Sequence, residues 1–205
     1  MNINDFHKKL SELFTIFNQT IKPLIADIET KYQECLPSIF NEIRSFNDHI
    51  ARCYIEGISD TQLNKEIERA ISHINRITFD SYKILIIWFH DYFNSFKADF
   101  DISLIDNGEF APYFYKKQSE GRELAREAKR NETYDKQLAF DQYQEAYIVF
   151  SELYTSVQAH LPRIEWAKKI GKYQFRVDIF KNIWFWITSF VISTISGLLV
   201  YLISK

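Results

Sequence analysis

Turn-forming residues are scarce in this sequence, which has five glycines and four prolines among its 205 residues. A β-rich fold needs frequent turns, and turns draw heavily on glycine and proline. The shortage therefore argues against a β-rich fold and predicts an all-α chain. Aromatic residues make up 17% of the sequence, including 18 phenylalanines, which is ample for a hydrophobic core.

Cysteine and the common enzyme signatures are also scarce. The two cysteines, Cys35 and Cys53, lie far apart and show no metal-ligand spacing. They are predicted to be core thiols in a reducing compartment, not a disulfide or a zinc site. The sequence has no glycine-rich phosphate loop, HExxH pair, CxxC pair or nucleophile elbow. No cofactor and no metal ion are predicted, and a non-enzymatic role is favoured without excluding an enzyme.

The net charge of −2 is unevenly distributed along the chain. Residues 1–160 carry a net charge of −7, whereas residues 161–205 carry +5. An acidic body does not suit non-specific binding to nucleic acid. A basic segment, by contrast, suits the anionic inner leaflet of a membrane.

One long uncharged run is present, from residue 183 to residue 203. At about 1.5 Å per residue, 21 helical residues reach roughly 31 Å, and the hydrocarbon core of a bilayer is about 30 Å thick. The run predicts a single C-terminal transmembrane helix. The excess of basic residues before it places the N-terminal part in the cytoplasm. The expected location is the cell inner membrane, single-pass and tail-anchored, because the N-terminus does not resemble a signal peptide.

Apolar residues recur at steps of three and four before this run, which predicts a bundle of amphipathic helices. Pro23 is expected to bend the first helix, and the segment DISLIDNGEFAP is expected to be a loop. The predicted helices cover about 3–28, 38–56, 59–96, 113–130 and 134–159. The predicted domains are a cytosolic helical bundle at 1–160, a basic juxtamembrane neck at 161–182 and the transmembrane helix at 183–203.

Polar side chains form two clusters on the predicted second and third helices. Arg44, Asp48 and Arg52 follow one another at i, i+4, a spacing that allows ion pairing along a helix. The remaining members are Glu42, His49, His73, Arg76, Asp80 and Lys83. Consecutive helices are expected to pack together, so these charges could meet in a semi-buried network. An ion-pair lattice that fixes helix register, a contact with a ligand or second subunit, and a catalytic site all remain open.

The Arg44-x4-His49 pair resembles the R-x4-6-H signature of HEPN domains, over residues 36–100. The resemblance implies a helical bundle. It also implies the ribonuclease activity of many HEPN proteins, which work as dimers that juxtapose two such motifs. In that case Arg44 would stabilise the charge of the phosphorane and His49 would transfer a proton.

An HEPN-like bundle joined to a membrane span is similar in architecture to the membrane effectors of bacterial anti-phage defence. Among these is the pore-forming accessory of type VI-B CRISPR systems. Ser189, Ser193 and Gly197 are spaced at four and would form one face of small residues. Such faces let membrane helices approach closely, or line a narrow pore when several copies assemble. A plain anchor is the alternative.

The function expected from these features is a homo-oligomeric antiviral effector that permeabilises or depolarises the inner membrane. Its cytosolic domain would respond to a protein, RNA or nucleotide signal. Two alternatives stay open at this point. One is a membrane-tethered HEPN ribonuclease that uses Arg44 and His49, and the other is a tail-anchored adaptor with no activity of its own.

Overall fold

The described part of the chain is helical, with no strand, which confirms the all-α prediction. The computed structural model describes the backbone of residues 3–34 and 36–203, and the side chains of 5–34, 36–165, 177–181 and 183–185. Two compact units divide the chain, Met1–Thr155 and Ser156–Lys205. The α-helices are α1 (Ile3–Ile16), α2 (Lys22–Tyr32), α3 (Pro37–Arg52), α4 (Asp60–Asp99), α5 (Phe110–Asn131) and α6 (Lys136–Ile203).

A π-helical turn, Phe17–Ile21, joins α1 to α2 where the sequence predicted a bend. Proline lacks a backbone N–H, and its ring collides with the carbonyl four residues earlier, so Pro23 cannot continue a regular α ladder. The N–H of Lys22 instead donates to the carbonyl of Phe17, five residues earlier. One wider turn therefore carries the chain past the proline without ending the helical path.

The α3–α4 hairpin has clear start and stop signals. Pro37 occupies the first turn of α3, where its missing N–H has no helical partner to lose. After α3 the chain turns through Gly57, whose φ is 75°. Ser59 then opens α4 with a capping box, in which its side chain accepts from the N–H of Gln62. These signals make α3 and α4 neighbouring helices that run in opposite directions.

Aromatic rings fill the middle of the first unit. Phe89 of α4 packs against Phe150 of α6 with ring centroids 6.0 Å apart, and Phe93 packs against Phe114 of α5 at 5.7 Å. All four rings are at most 1% exposed. Burying a ring of this size contributes about 1.5–3 kcal/mol, so this cluster is a main source of cohesion among α4, α5 and α6.

The predicted loop at 101–112 contains short helical pieces on either side of a non-helical kink at Ile105, Asp106 and Asn107. A 3₁₀ segment, Ile102–Gly108, begins where the side chain of Asp101 accepts from the N–H of Ser103. Asp106, Asn107 and Gly108 then adopt positive φ and break the helical path before α5 begins. Local side-chain capping therefore orders a segment that has little hydrophobic periodicity of its own.

The prediction of a C-terminal transmembrane helix is corrected, and with it the single-pass inner-membrane location. No helix among the described residues is long and apolar enough to cross a membrane. A crossing helix needs about 20 consecutive apolar residues, and of the predicted span 183–203 only residues 183–185 are among the described side chains. The predicted neck is part of α6, with Pro162 inside the helix.

The predicted small-residue face lies outside the side chains that the structure describes. Its members are Ser189, Ser193 and Gly197, and Cys35 is likewise outside the described residues. Cys53, the other cysteine, is buried.

Candidate active site

Glutamate and histidine recur with the same spacing on two consecutive helices. Glu42 and His49 lie seven residues apart on α3, and Glu66 and His73 lie seven residues apart on α4. Seven residues make about two helical turns, so the two side chains of each pair share one face of their helix. Because α3 and α4 run in opposite directions, the glutamate of each helix faces the histidine of the other.

Two crossed histidine–glutamate dyads result. His49 Nδ1 lies 2.6 Å from Glu66 Oε2, and His73 Nδ1 lies 2.6 Å from Glu42 Oε2. The imidazole rings stack, with centroids 5.1 Å apart and planes 21° apart. Helical side chains lean toward the N-terminus of their own helix. Each histidine is the C-terminal member of its pair, so both rings lean toward the middle of the hairpin, where they meet.

An arginine completes each dyad on the second oxygen of the glutamate. Arg69 Nη1 lies 2.9 Å from Glu66 Oε1, and Arg76 Nη1 lies 3.5 Å from Glu42 Oε1. In both dyads the arginine comes from the same helix, α4. Each carboxylate therefore bridges an imidazole and a guanidinium, which fixes its orientation; the contact of Arg69 with Glu66 is a charge-assisted hydrogen bond, and that of Arg76 with Glu42 is an ion pair.

This arrangement sets the histidine tautomer. An ionised carboxylate only accepts hydrogen bonds, so each Nδ1 facing a glutamate carries the proton and each Nε2 has a lone pair when the ring is neutral. The hydrogen bond from His49 lowers the pKa of Glu66; burial opposes this shift, and Arg69 reinforces it. No partner is recorded for either Nε2 among the described side chains. The outward chemistry of the site therefore belongs to the Nε2 atoms.

The dyads are shielded but reachable. The side chains of His49, His73 and Glu66 are 14%, 13% and 12% exposed. Partial exclusion of water strengthens the hydrogen bonds and the charge interactions within the site. Solvent, or a substrate of modest size, still has access to the paired rings.

A groove of about 370 Å³ starts beside the second dyad and follows α4. Arg76 belongs to both the dyad and the groove, and Phe79 supplies an aromatic wall. The lining residues are Glu68, Ile71, Ser72, Asn75, Arg76, Phe79, Asp80, Lys83, Glu132 and Lys136. Pockets for small ligands commonly have about 300–1,000 Å³, so the groove is large enough for one nucleotide-sized group.

Other residues predicted from the sequence lie apart from the stacked rings. Arg44 is exposed, and no ion pair is recorded for it among the described residues. Asp48 and Arg52 form a 2.6 Å ion pair in which both side chains are about half exposed. The structure thus does not bring Arg44 into the dyads, although it is five residues from His49.

The far end of the predicted stripe on α4 reaches the α5–α6 connection. Lys83 Nζ lies 2.9 Å from Glu132 Oε1 and 3.7 Å from Asp80 Oδ1. The hydroxyl of Tyr143 also donates to Glu132. Burial raises the pKa of Glu132, but the hydrogen bonds from Tyr143, Lys83 and Lys129 outweigh it and lower the pKa overall. Asp80 and Lys83 both line the groove. Through Glu132, Lys83 is also linked to Tyr143 of α6.

Sequence reasoning missed Glu66 and Arg69. The signal was available in the repeated Glu-x6-His spacing of α3 and α4.

Cys53 Sγ donates to the carbonyl of His49 at 3.3 Å, and burial, with the nearby Glu66, raises the thiol pKa. A thiol held in its neutral form is a poor nucleophile. No group of three or more histidine, cysteine or acidic side chains among the described residues could hold a metal ion.

Comparison with family models, with curated proteins and with solved structures gives no match to this chain. The HEPN-like character and the homo-oligomeric state stay predictions.

Acid should destabilise the fold through two of these carboxylates. The pKa values of Glu66 and Glu132 are both lowered from 4.5 in the folded chain. Their contribution to the free energy of unfolding is therefore complete above pH 4.5 and is lost as the pH falls through the lower folded values. Urea unfolding at pH 7, 5, 4 and 3 should show this loss. Glu66→Gln should reduce the slope below pH 4.5, and an unchanged slope would contradict the assignment.

Proposed function

We propose that this protein cleaves RNA by general acid–base catalysis, with His49 and His73 as the two proton-transfer groups. One observation carries the proposal: two stacked imidazoles, each held by a carboxylate through Nδ1, leave both Nε2 atoms for a substrate. General acid–base catalysis needs one group that accepts a proton and one that donates it, both within hydrogen-bonding reach of the reacting atoms. A pair in which one imidazole is neutral and the other is protonated meets that need.

RNA is favoured as the substrate because it brings its own nucleophile. The site has no activated serine or cysteine, since the Cys53 thiol is buried with a raised pKa. The Nε2 of one histidine removes the proton of a ribose 2′-hydroxyl, and the oxygen attacks the adjacent phosphorus. The Nε2–H of the other histidine protonates the departing 5′-oxygen. The products are a 2′,3′-cyclic phosphate and a free 5′-hydroxyl.

Charge that develops on the phosphorane needs a cation, and Arg76, which belongs to both a dyad and the groove, is one candidate. Its guanidinium contacts Glu42 and Ser72, and its side chain is 55% exposed, so a bound phosphate can reach it. Donors aimed at developing charge are often the largest single contribution to catalysis. Lys136 also lines the groove, and no ion pair is recorded for it among the described residues.

The acidic character of residues 1–160 limits how RNA is held. A net charge of −7 does not support broad contact with a phosphate backbone. Recognition is therefore local, over one nucleotide-sized group in the groove beside Phe79. The pore-forming effector expected from the sequence depends on a transmembrane helix; no helix among the described residues is long and apolar enough to cross a membrane, and the effector stays a prediction. A ribonuclease needs no such helix.

The test uses the purified full chain with single-stranded RNA and with the same sequence made as DNA. RNA should be cleaved and should leave a 2′,3′-cyclic phosphate, whereas DNA should stay intact because it has no 2′-hydroxyl. An RNA with one 2′-deoxy residue at the cleaved position should resist cleavage there alone. Equal cleavage of both polymers, or no cleavage of any RNA, would overturn the proposal.

A further inference from the structure

A second polar cluster lies between the C-terminal half of α4 and α5. His90 and Lys97 are seven residues apart on α4, and Gln118 and Arg122 are four residues apart on α5, so each pair shares one helical face. Lys97 Nζ donates to Gln118 Oε1 at 3.4 Å across the two helices. This distance is long for a hydrogen bond from nitrogen to oxygen, so the ammonium is only loosely held.

The cluster contains a buried donor without an acceptor. Gln118 is 4% exposed, and its Nε2 has no hydrogen-bond partner among the described residues. Leaving a buried N–H unpaired costs free energy that an acceptor would recover. The amide already directs its oxygen to Lys97, so a group that accepts hydrogen bonds is what this interface lacks.

The cluster also contains cations without a counter-charge. No ion pair to a carboxylate is recorded for Lys97 or Arg122 among the described residues. Asp99 and Asp101 line a cavity beside Lys97. Burial lowers the pKa of Lys97, and Arg122 lowers it further. Two cations that oppose each other's charge are stabilised by an anion between them.

His90 experiences the same excess of positive charge. Burial lowers its pKa, and Arg122 and Lys97 add to this effect, with Asp91 acting in the opposite direction. The amide of Asn94 meets His90 Nδ1 at 2.9 Å. The cationic environment thus extends along α4 from Lys97 to His90.

We propose that this α4–α5 cluster binds a phosphate group, presented by inorganic phosphate or a small phosphate monoester, through Lys97, Arg122 and the amide of Gln118. Each of these groups donates hydrogen bonds, and two carry charge, which is the combination that phosphate oxygens require. The site is independent of the dyads: 24 residues of α4 separate His73 from Lys97, about 36 Å along a helix. The proposed RNA cleavage does not use this part of the molecule.

Isothermal titration of the full chain with inorganic phosphate, at fixed ionic strength, tests this site. Direct titration is needed because phosphate stabilises many proteins without binding to a site. The parent should show saturable binding, and Lys97→Met and Arg122→Gln should each weaken it at least about tenfold, as expected when a charged donor is removed. Lys116→Met, an exposed lysine on the same helix as Arg122, should bind like the parent.

The remaining outcomes are also decisive. Binding that is absent in the parent, or equal in the parent and both cluster variants, would overturn the site. Arg122 is exposed, so Arg122→Gln keeps the test valid even where Lys97→Met disturbs folding. A titration with RNA that lacks terminal phosphates distinguishes a small anion from an RNA backbone as the ligand. If only RNA binding depends on Lys97 and Arg122, the cluster contacts an RNA backbone and the small-anion site is wrong. His49→Asn should bind phosphate normally, whether or not the chain cleaves RNA.

Discussion

His49→Asn and His73→Asn should each lower the rate of RNA cleavage about 10²–10⁴-fold, the range that one general acid or base contributes. Asparagine keeps a donor close to the position of Nδ1, so the contact with Glu66 or Glu42 has a substitute. It has no group that can exchange a proton near neutral pH. The loss should therefore appear in kcat, measured at saturating RNA, with little change in the melting temperature.

The double variant separates a catalytic pair from two independent contributions. Two groups that act in one reaction step lose most of their effect together, so His49→Asn/His73→Asn should be about as slow as the worse single variant. His7→Asn, on the exposed face of α1, is the matched control and should cleave at the parent rate. Both dyad variants cleaving at the parent rate, with a lowered melting temperature, would mean that the dyads serve only to hold α3 against α4.

Glu42→Gln and Glu66→Gln extend the same experiment to the positioning residues. A glutamine still contacts the imidazole but can present its N–H₂ group to Nδ1, which favours the wrong tautomer. The bell-shaped pH dependence of kcat/KM should shift in these variants. A merely structural glutamate would alter stability and leave the pH profile in place.

Gly121→Ala should destabilise the folded chain by about 1–3 kcal/mol, as overpacking of a close-packed core does. A Cβ at this position of α5 would lie 2.8 Å from two ring carbons of Phe150. That ring is 1% exposed and packs against Phe89 and Phe93, so it has little freedom to move. The substitution is informative because alanine favours a helix over glycine by about 1 kcal/mol, and the clash has to exceed that gain.

A double-mutant cycle in urea unfolding checks the cause. Phe150→Leu shortens the side chain and should relieve part of the effect of Gly121→Ala, which gives a coupling energy of about 0.5–3 kcal/mol. Gly57→Ala is the control, since its Cβ would meet nothing within 4 Å and only its φ of 75° is strained. No rescue by Phe150→Leu, or rescue of both alanine variants alike, would contradict the proposed contact.

Much of the helical framework is predictable because its signals are local. The starts of α3 at Pro37 and of α4 after Ser59 lie within a residue or two of the positions expected from proline and capping patterns. The order in 102–108 is harder to foresee, because it depends on a single Asp101–Ser103 contact and on two buried isoleucines. The contact between Gly121 and Phe150 joins residues 29 apart, and periodicity does not reveal such a partner.

The candidate site is only partly predictable, for a related reason. His49, His73 and Glu42 stand out as polar residues beside apolar faces. Glu66 does not, because its role depends on the register in which α3 meets α4. The turn between Cys53 and Ser59 sets that register, and helix periodicity within either segment cannot supply it. A short motif favours Arg44. At roughly 100° per residue, its five-residue separation from His49 places it about 140° around α3 from that side chain, which accounts for its exposed position.

The crossing of the two dyads makes the hairpin sensitive to sliding. Glu42 holds His73 near one end while Glu66 holds His49 near the other. A shift of α3 along α4 would lengthen both hydrogen bonds at once, since neither pair can shorten when the other is stretched. The two imidazoles would then lose their orientation together. Under the proposed function, proton transfer therefore depends on the alignment of the two helices, and a force that displaces one helix along the other would slow it.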